Sequence, residues 1–386
     1  MAKSVAQLDV LVLGQHPCAY LAADMLSQAK PGVSVQHATI PGDEPPDRLI
    51  LVNPEVFALH KPLEKAKKKL DLEPVWGCAF LSEEPGTRGE WRSKSATAPA
   101  SYVGSYSELR KQFCLLAKES GVKLHSPKSL VVQRVDEKGF EVKIDHHTLH
   151  PRAILLAGHV SGENAKTLAL PETFSTEVMR RYSFLRLPKD AANVAGGASE
   201  KAVMPMSLDV GGQLTWAWML IGRDDVQLAV EQPSDSISAL PPAKVMTKWA
   251  GDLKKHGVLK VDPEALPLEK MESMDLPAAG ALAREIVANR TLLFGPAGGF
   301  YTACLEDLYP NCWSARFAVD AIRAALGEVH LQDALQPYRQ SWGTTLGEYL
   351  RGPQQNLRFL LPLVYRNPVM SGRLAESILQ GKSVVR

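Results

Sequence analysis

Two glycine-containing bends, far apart in the chain, have the residue types that bind an anionic ligand. The later bend, Gly295-Pro-Ala-Gly-Gly299, follows a short apolar run and precedes a helical pattern over residues 312–326. The earlier bend begins at Gly14, after the apolar run of residues 8–13 and before another helical pattern. Bends of this kind let backbone amides approach a phosphate closely at the start of a helix. The pair predicts one extended dinucleotide bound between the two ends of the chain.

The composition is that of an ordinary globular protein. The 386 residues are 45% hydrophobic and 22% charged, and the formal net charge is +2. This near-neutral charge gives no reason to expect nucleic acid as a partner. No segment reaches the roughly 20 apolar residues of a membrane helix, and the N-terminus lacks the apolar region of a signal peptide. We therefore expect a cytoplasmic protein, and the absence of a Cys-x-x-Cys pair agrees with reduced thiols. The cysteines are Cys18, Cys78, Cys114, Cys304 and Cys312.

The order of the patterns predicts an α/β fold with a Rossmann-like domain and an inserted β-rich domain. An apolar strand, a helix over residues 19–29 and a second strand from Val33 form the start of a right-handed βαβ unit. Ser105 and Glu108 fit a capping box at the start of a further helix. The predicted segments are the Rossmann-like domain at 1–165 and 286–330, the β-rich substrate domain at 166–285, and a helical C-terminal segment at 331–386.

Three blocks, taken in order, resemble the FAD-dependent oxidoreductases of the p-hydroxybenzoate hydroxylase fold, nearest their geranylgeranyl reductase and flavin-dependent halogenase branches. The blocks are Leu8 to Ala19, Leu155-Leu-Ala-Gly158-His-Val-Ser161, and Leu292-Leu-Phe-Gly295-Pro-Ala-Gly-Gly299 with its helix. The resemblance implies FAD as the cofactor, held by the Rossmann-like domain, and admits NAD(P)H as the electron donor. The cofactor-binding positions that it implies are Gly14, His16, Ala19, His37, Gly158, Gly295, Pro296, Ala297, Gly298 and Gly299.

A strand of the β-rich segment contains Trp216-Ala-Trp218, which is similar to an aromatic strand near the flavin in the same two branches. Residues two apart on a strand point to the same face, so the two rings can line a flat pocket for an apolar or aromatic substrate. Packing of that face into a hydrophobic core is an equal alternative.

Four positions that face the cofactor in the family hold other residues here. His16 stands in place of the glycine that lets the backbone approach the pyrophosphate, and Pro17 has no amide hydrogen. His37 replaces the acid that binds the adenine ribose. Tyr106 replaces an arginine, and Pro296 replaces an aspartate. Either FAD binds after local rearrangement, with His16 donating to a phosphate, or the FAD site has been lost or repurposed. A repurposed site would belong to a non-catalytic protein or to an enzyme that uses a different nucleotide in the altered cleft.

The working hypothesis is an FAD-dependent oxidoreductase that acts on a small molecule as a reductase, a monooxygenase or a halogenase-like enzyme. Its catalytic residues and its oligomeric state stay open. The histidine-rich stretch at residues 145–150 follows a predicted hairpin arm, where a solvated turn is the simpler interpretation, so we predict no metal site.

Overall fold

The computed structural model describes residues 8–171, 174–193, 202–210, 213–234, 240–302, 308–350 and 360–382, so Cys304 lies outside the described residues. The strands are β1 Leu8–Leu13, β2 Val35–Ala38, β3 Leu49–Val52, β4 Glu73–Val75, β5 Gly77–Leu81, β6 Arg88–Arg92, β7 Ser101–Ser105, β8 Lys123–His125, β9 Leu130–Asp136, β10 Gly139–Ile144, β11 His147–Leu149, β12 Pro151–Leu156, β13 Met179–Pro188, β14 Met206–Val210, β15 Gln213–Ile221, β16 Asp225–Pro233, β17 Glu272–Pro277, β18 Val287–Ala288 and β19 Thr291–Leu293. The helices are α1 Pro17–Ser27, α2 Lys61–Lys67, α3 Tyr106–Glu119, α4 Gly162–Thr167, α5 Pro242–Lys255, α6 Tyr309–Ala325, α7 Leu331–Ala334, α8 Tyr338–Ser341, α9 Gly343–Leu350 and α10 Pro368–Gln380.

A mostly parallel sheet lies at the centre of the Rossmann-like part. Its strand order is β18-β19-β12-β1-β2-β8. β1 runs parallel to β2 and β12, with Val12 opposite His37 on one side and Leu155 on the other, and β12 runs parallel to β19. Because parallel strands end at the same edge of a sheet, the bends that follow β1, β12 and β19 come together. The predicted α/β class with a Rossmann-like domain is confirmed.

The first βα unit is buried on all sides, which explains its apolar sequence. β1 lies inside the sheet, and residues 10–13 are fully buried, as is typical of parallel strands. α1 begins at Pro17 after the N-cap residue His16, and it packs against α3 and α6. Its buried Asp24 forms a 2.8 Å hydrogen bond with His60 Nε2, which satisfies a carboxylate that has lost its contact with water.

An antiparallel sheet with the strand order β14-β15-β16-β13-β17 forms the β-rich part, as predicted. α5 packs against β14 and β16 on this sheet. The hairpin of β5 and β6 also belongs to this part, although it lies within the predicted segment 1–165. A bridge between Cys78 and Val203 joins the hairpin to the sheet, and the buried residues of β5 enter the same hydrophobic core.

The C-terminal region is helical, and its helices divide between the two hydrophobic cores. α7, α8 and α9 place Leu331, Tyr338 and Leu346 in the core of the Rossmann-like part. α10 packs on the β5–β6 hairpin and places Leu374 and Ile378 in the other core. In the described ranges, no helix is long and apolar enough to cross a membrane.

Candidate functional site

The three glycine bends touch one another at the carboxyl edge of the parallel sheet. Gly14 has a φ of 131°, and a Cβ atom there would lie 3.0 Å from the carbonyl carbon of Ala157 and 3.1 Å from Gly158 N. A Cβ atom on Gly295 would lie 2.5 Å from Cys18 Sγ. The structure therefore brings the two ends of the chain together as predicted, with glycine required for the close approach of one bend to the next.

His16 combines a capping role with a buried hydrogen-bond donor. Its Nδ1 accepts a 3.2 Å hydrogen bond from the amide of Cys18 and lies 3.0 Å from Cys18 Sγ, whose thiol can donate to the same nitrogen. An accepting Nδ1 places the proton of the neutral ring on Nε2. The side chain is 4% exposed, and Nε2 has no partner among the described residues. Burial, assisted by the charge of Arg48, holds the pKa of His16 well below its usual range. The ring is therefore neutral, with one buried N–H that has no acceptor in the described part of the chain.

Arg48 places a positive charge beside this donor. It is 1% exposed, its Cζ lies 4.0 Å from the centroid of the Tyr106 ring, and its Nη1 donates to Pro46 O at 3.1 Å. A guanidinium over an aromatic face is a favourable cation–π contact. The resemblance placed an arginine at position 106, and here Arg48, just before β3, lies over the ring of Tyr106. Sequence reasoning missed Arg48, since the signal was a lone arginine before an apolar strand.

The loop of residues 41–48, hereafter the 41–48 segment, crosses the edge where the bends meet. Asp43 Oδ2 accepts a 3.0 Å hydrogen bond from the amide of His159. A Cβ atom on Gly158 would lie 2.3 Å from the same oxygen, so the carboxylate rests directly on this bend. Burial raises the pKa of Asp43, and His159 opposes that effect. Beside Asp43, Glu44 forms a 2.7 Å ion pair with Arg110 of α3.

His37 turns inward rather than toward a ligand. It is fully buried, and its Nε2 donates a 2.7 Å hydrogen bond to the carbonyl of Gly14. Its ring packs on Tyr20, with 4.4 Å between the centroids. Burial lowers the pKa of His37 to about 4, although the bond to Gly14 opposes that shift. At the position where the resemblance implied a ribose contact, the ring supports the first bend instead.

Two neighbouring cavities lie at this edge. The larger, of about 740 Å³, lies beyond the ends of β2 and β8. The smaller, of about 210 Å³, lies between the bends and β17. Gln15, Gly42 and Glu44 line both cavities, so the 41–48 segment stands between them. The polar or aromatic side chains of the smaller cavity are Gln15, His16, Asp43, Glu44, Arg48, Tyr106, His159, Ser273, Asp275 and Tyr301.

The late bend is held by its own hydrogen bonds. The amide of Gly295 donates to Ser314 Oγ at 2.8 Å, and the amide of Gly299 donates to the carbonyl of Pro296 at 3.1 Å. Gly299 has a φ of 79°, and a Cβ atom there would lie 2.2 Å from Ala281 O. Pro296 borders the smaller cavity without an amide hydrogen to offer. The remaining predicted positions are also buried, Ala19 in the first turn of α1 and Ala297 and Gly298 in the late bend.

The two tryptophans lie in the interior of the antiparallel sheet. Trp218 is fully buried, its ring meets Tyr182 edge-on at 6.2 Å, and its carbonyl accepts a 3.3 Å hydrogen bond from Trp249 Nε1. Trp216 is also buried, and neither ring borders the two cavities. The two rings therefore pack in the hydrophobic core of the sheet, which was the alternative to a substrate pocket. Within the described part of the chain, no group of three His, Cys, Asp or Glu side chains could hold a metal ion.

Comparison with known proteins identifies the fold. No family model matches the chain, and no curated protein matches its sequence. Solved structures do match. The chain is similar to a geranylgeranyl bacteriochlorophyll reductase-like protein of Thermoplasma acidophilum, with 12% identity, coverage of 98% of this chain and 91% of that one, and a TM-score of 0.69.

Two further solved structures are as similar. A flavin-dependent brominase matches with 15% identity over 97% of this chain and 94% of its own, at a TM-score of 0.66. The p-nitrophenol 4-monooxygenase of Pseudomonas putida matches with 15% identity over 98% of this chain and 95% of its own, also at a TM-score of 0.66. These identities establish a common fold. The resemblance to the reductase-like and halogenase branches is therefore confirmed at the level of fold.

The residues at this edge fit the phosphate end of FAD through side chains rather than through backbone amides. His16 and Arg48 both line the smaller cavity, and an imidazole N–H and a guanidinium both suit phosphate oxygens. The adenosine end has room in the larger cavity. The ribose contact implied by the resemblance is not reproduced, because His37 is bound to Gly14.

Proposed function

We propose that this protein is an FAD-dependent oxidoreductase whose cofactor phosphates are bound by His16 and Arg48. The observation that carries the proposal is the buried, unpartnered Nε2–H of His16, because burying such a donor is unfavourable unless a ligand accepts from it. Arg48 adds a charge at the same cavity, where the pairing of a cation with phosphate oxygens is strong.

The class of cofactor determines what FAD and the protein would each contribute to the reaction. Bound FAD would supply the redox chemistry, and the protein would orient it and exclude water. The proposed substrate is an apolar or aromatic small molecule, and the proposed electron donor is NAD(P)H. The structural neighbours support this choice of class, since they include a flavin-dependent brominase and a p-nitrophenol monooxygenase.

A second candidate is a non-catalytic protein on the same scaffold. The observation that favours it is that the chain's own groups occupy two places at the sheet edge. His37 is bound to the Gly14 carbonyl, and the Asp43 carboxylate rests on Gly158. In this candidate the cavities serve another ligand or none.

A flavin titration separates the two candidates. Purified protein is examined for flavin absorbance and then titrated with FAD, with quenching of flavin fluorescence as the readout. If the protein is an FAD-dependent oxidoreductase, we expect saturable FAD binding. Protein that neither contains FAD nor binds it would support the non-catalytic candidate.

The His16→Asn variant tests the donor itself. Asparagine is a preferred N-cap residue, so the variant keeps a capping side chain while losing the ring. We expect FAD binding to weaken by about tenfold, the value of one hydrogen bond to a charged group. His147→Asn, at an exposed histidine of β11, is the matched control. Equal affinity of both variants and the unmodified protein would show that His16 makes no phosphate contact.

A further inference from the structure

Asp43 carries a carboxylate into the place where the bends meet. Its Oδ2 lies 3.0 Å from the His159 amide nitrogen, and it fills the space beside Gly158 that a Cβ atom would need. A backbone amide at a glycine bend is a donor that suits a phosphate oxygen as well as a carboxylate oxygen. The protein thus satisfies with its own anion a donor that a phosphate could use.

The same carboxylate borders the smaller cavity together with His16 and Arg48. An anionic ligand entering this cavity meets the Asp43 carboxylate as well as the two favourable groups. The other two carboxylates of the cavity, Glu44 and Asp275, are paired with Arg110 and Arg181. Like charges in a partly dehydrated cavity repel each other strongly. A phosphate can therefore occupy the cavity with full benefit from the donors when the Asp43 carboxylate leaves it.

The attachments of the 41–48 segment limit the movement that is needed. Asp47 at one end accepts a 3.0 Å hydrogen bond from the Ser107 amide and pairs with Arg186 at 2.7 Å. Gly42, on the other side of Asp43, has a φ of 81°, a conformation that glycine adopts without strain. Asp43 can therefore move at Gly42 while Asp47, through Ser107, and Glu44, through Arg110, stay attached to α3.

We propose that Asp43 is an internal anion at the phosphate position and that a diphosphate ligand binds by displacing its carboxylate from the His159 amide. Displacement joins the two cavities, since Gly42 and Glu44 line both. This inference rests on the proposed function in naming FAD as the ligand, and it makes Asp43 the residue that sets the affinity for diphosphates.

The test compares the unmodified protein with Asp43→Asn and Asp43→Ala. Asn keeps an oxygen that can accept from His159 without the charge, and Ala removes the group altogether. The matched control is Asp320→Asn, which removes the same charge at an exposed residue that is paired with Arg316 and lines neither cavity. Affinities for FAD and for inorganic pyrophosphate are measured by calorimetry, and urea unfolding verifies that each variant is folded.

We expect Asp43→Ala to bind both probes at least tenfold more tightly, with Asp43→Asn in between and the control within about twofold of the unmodified protein. Unchanged affinities across the series, or an equal gain in the control, would overturn the inference while leaving the proposed function standing. Tighter pyrophosphate binding by Asp43→Ala without any FAD binding would retain the inference and reject FAD. Failure of both probes with every variant would reject both.

Discussion

The buried histidine under the first bend should make the stability of the protein depend on pH. His37 donates from Nε2 to the Gly14 carbonyl, and its Nδ1 is buried without a partner among the described residues. A protonated ring would need a second acceptor at Nδ1 and would place a charge away from water. Burial accordingly lowers the pKa of His37 from 6.5 to about 4. Between these two values the unfolded chain binds a proton that the folded chain excludes.

The sign and size of the effect follow from this difference. Because the folded pKa is the lower one, stability from this group is complete above about pH 7 and is lost as the pH falls from 6.5 toward 4. Lowering the pH from 7 to 5 should reduce the free energy of unfolding by about 2 kcal/mol through His37 alone. Lowering the pH further, to the folded pKa of about 4, brings the total reduction relative to pH 7 to about 3 kcal/mol.

Urea unfolding at pH 7 and pH 5 measures this loss. Other histidines contribute to the total, including His16, whose pKa is also lowered by burial. The informative quantity is the difference between the unmodified protein and His37→Gln, whose amide can donate to Gly14 and does not titrate. We expect the variant to lose about 2 kcal/mol less than the unmodified protein between the two pH values. His147→Gln, at an exposed site, should lose as much as the unmodified protein. Equal losses of unfolding free energy in His37→Gln and the unmodified protein would show that His37 is not held neutral by burial.

Two further predictions concern packing, and both are measured by urea unfolding at pH 7. Gly295→Ala should reduce the free energy of unfolding by at least about 2 kcal/mol, because the new Cβ would lie 2.5 Å from Cys18 Sγ and φ is 56°. The control Gly162→Ala, with open space around the new Cβ, should change it by less than about 0.5 kcal/mol. A small cost at Gly295 would mean that the bends are not in contact. Trp218→Ala should cost about 3–5 kcal/mol because the ring is fully buried in the sheet core. A loss of less than about 1 kcal/mol would mean that Trp218 lines a pocket and does not pack in the sheet core.

The backbone frame of the site was predictable because its signals are local. An apolar run ending in Gly14 predicts a buried parallel strand and its bend, and β1 ends at Leu13. The capping box at Ser105 predicts the start of α3, where the Glu108 amide donates to the serine oxygen. Each signal depends on neighbours within a few residues, so the rest of the fold need not be known.

The chemistry at the edge was less predictable because it depends on tertiary contacts. Arg48 and Asp43 belong to a loop with no periodicity, and their roles arise where that loop crosses Tyr106 and Gly158. The spacing of Trp216 and Trp218 shows that both rings share a face. It cannot tell whether that face meets a ligand or a core.

One imidazole at the start of α1 connects the cap of that helix with the proposed phosphate site. Its Nδ1 accepts from the Cys18 amide, so the helix terminus is capped by the chain itself, and its Nε2 is buried without a partner in the described part of the chain. A phosphate bound to Nε2 would lie farther from the helix than one bound to the amides, by the width of the ring. Arg48, from the loop before β3, lies over the Tyr106 ring, and the centroid of that ring is 5.8 Å from that of His16. The residues at positions 16 and 106 are therefore consistent with each other, since an anion bound by the His16 ring would need a cation nearby and the Tyr106 ring holds Arg48 close to it.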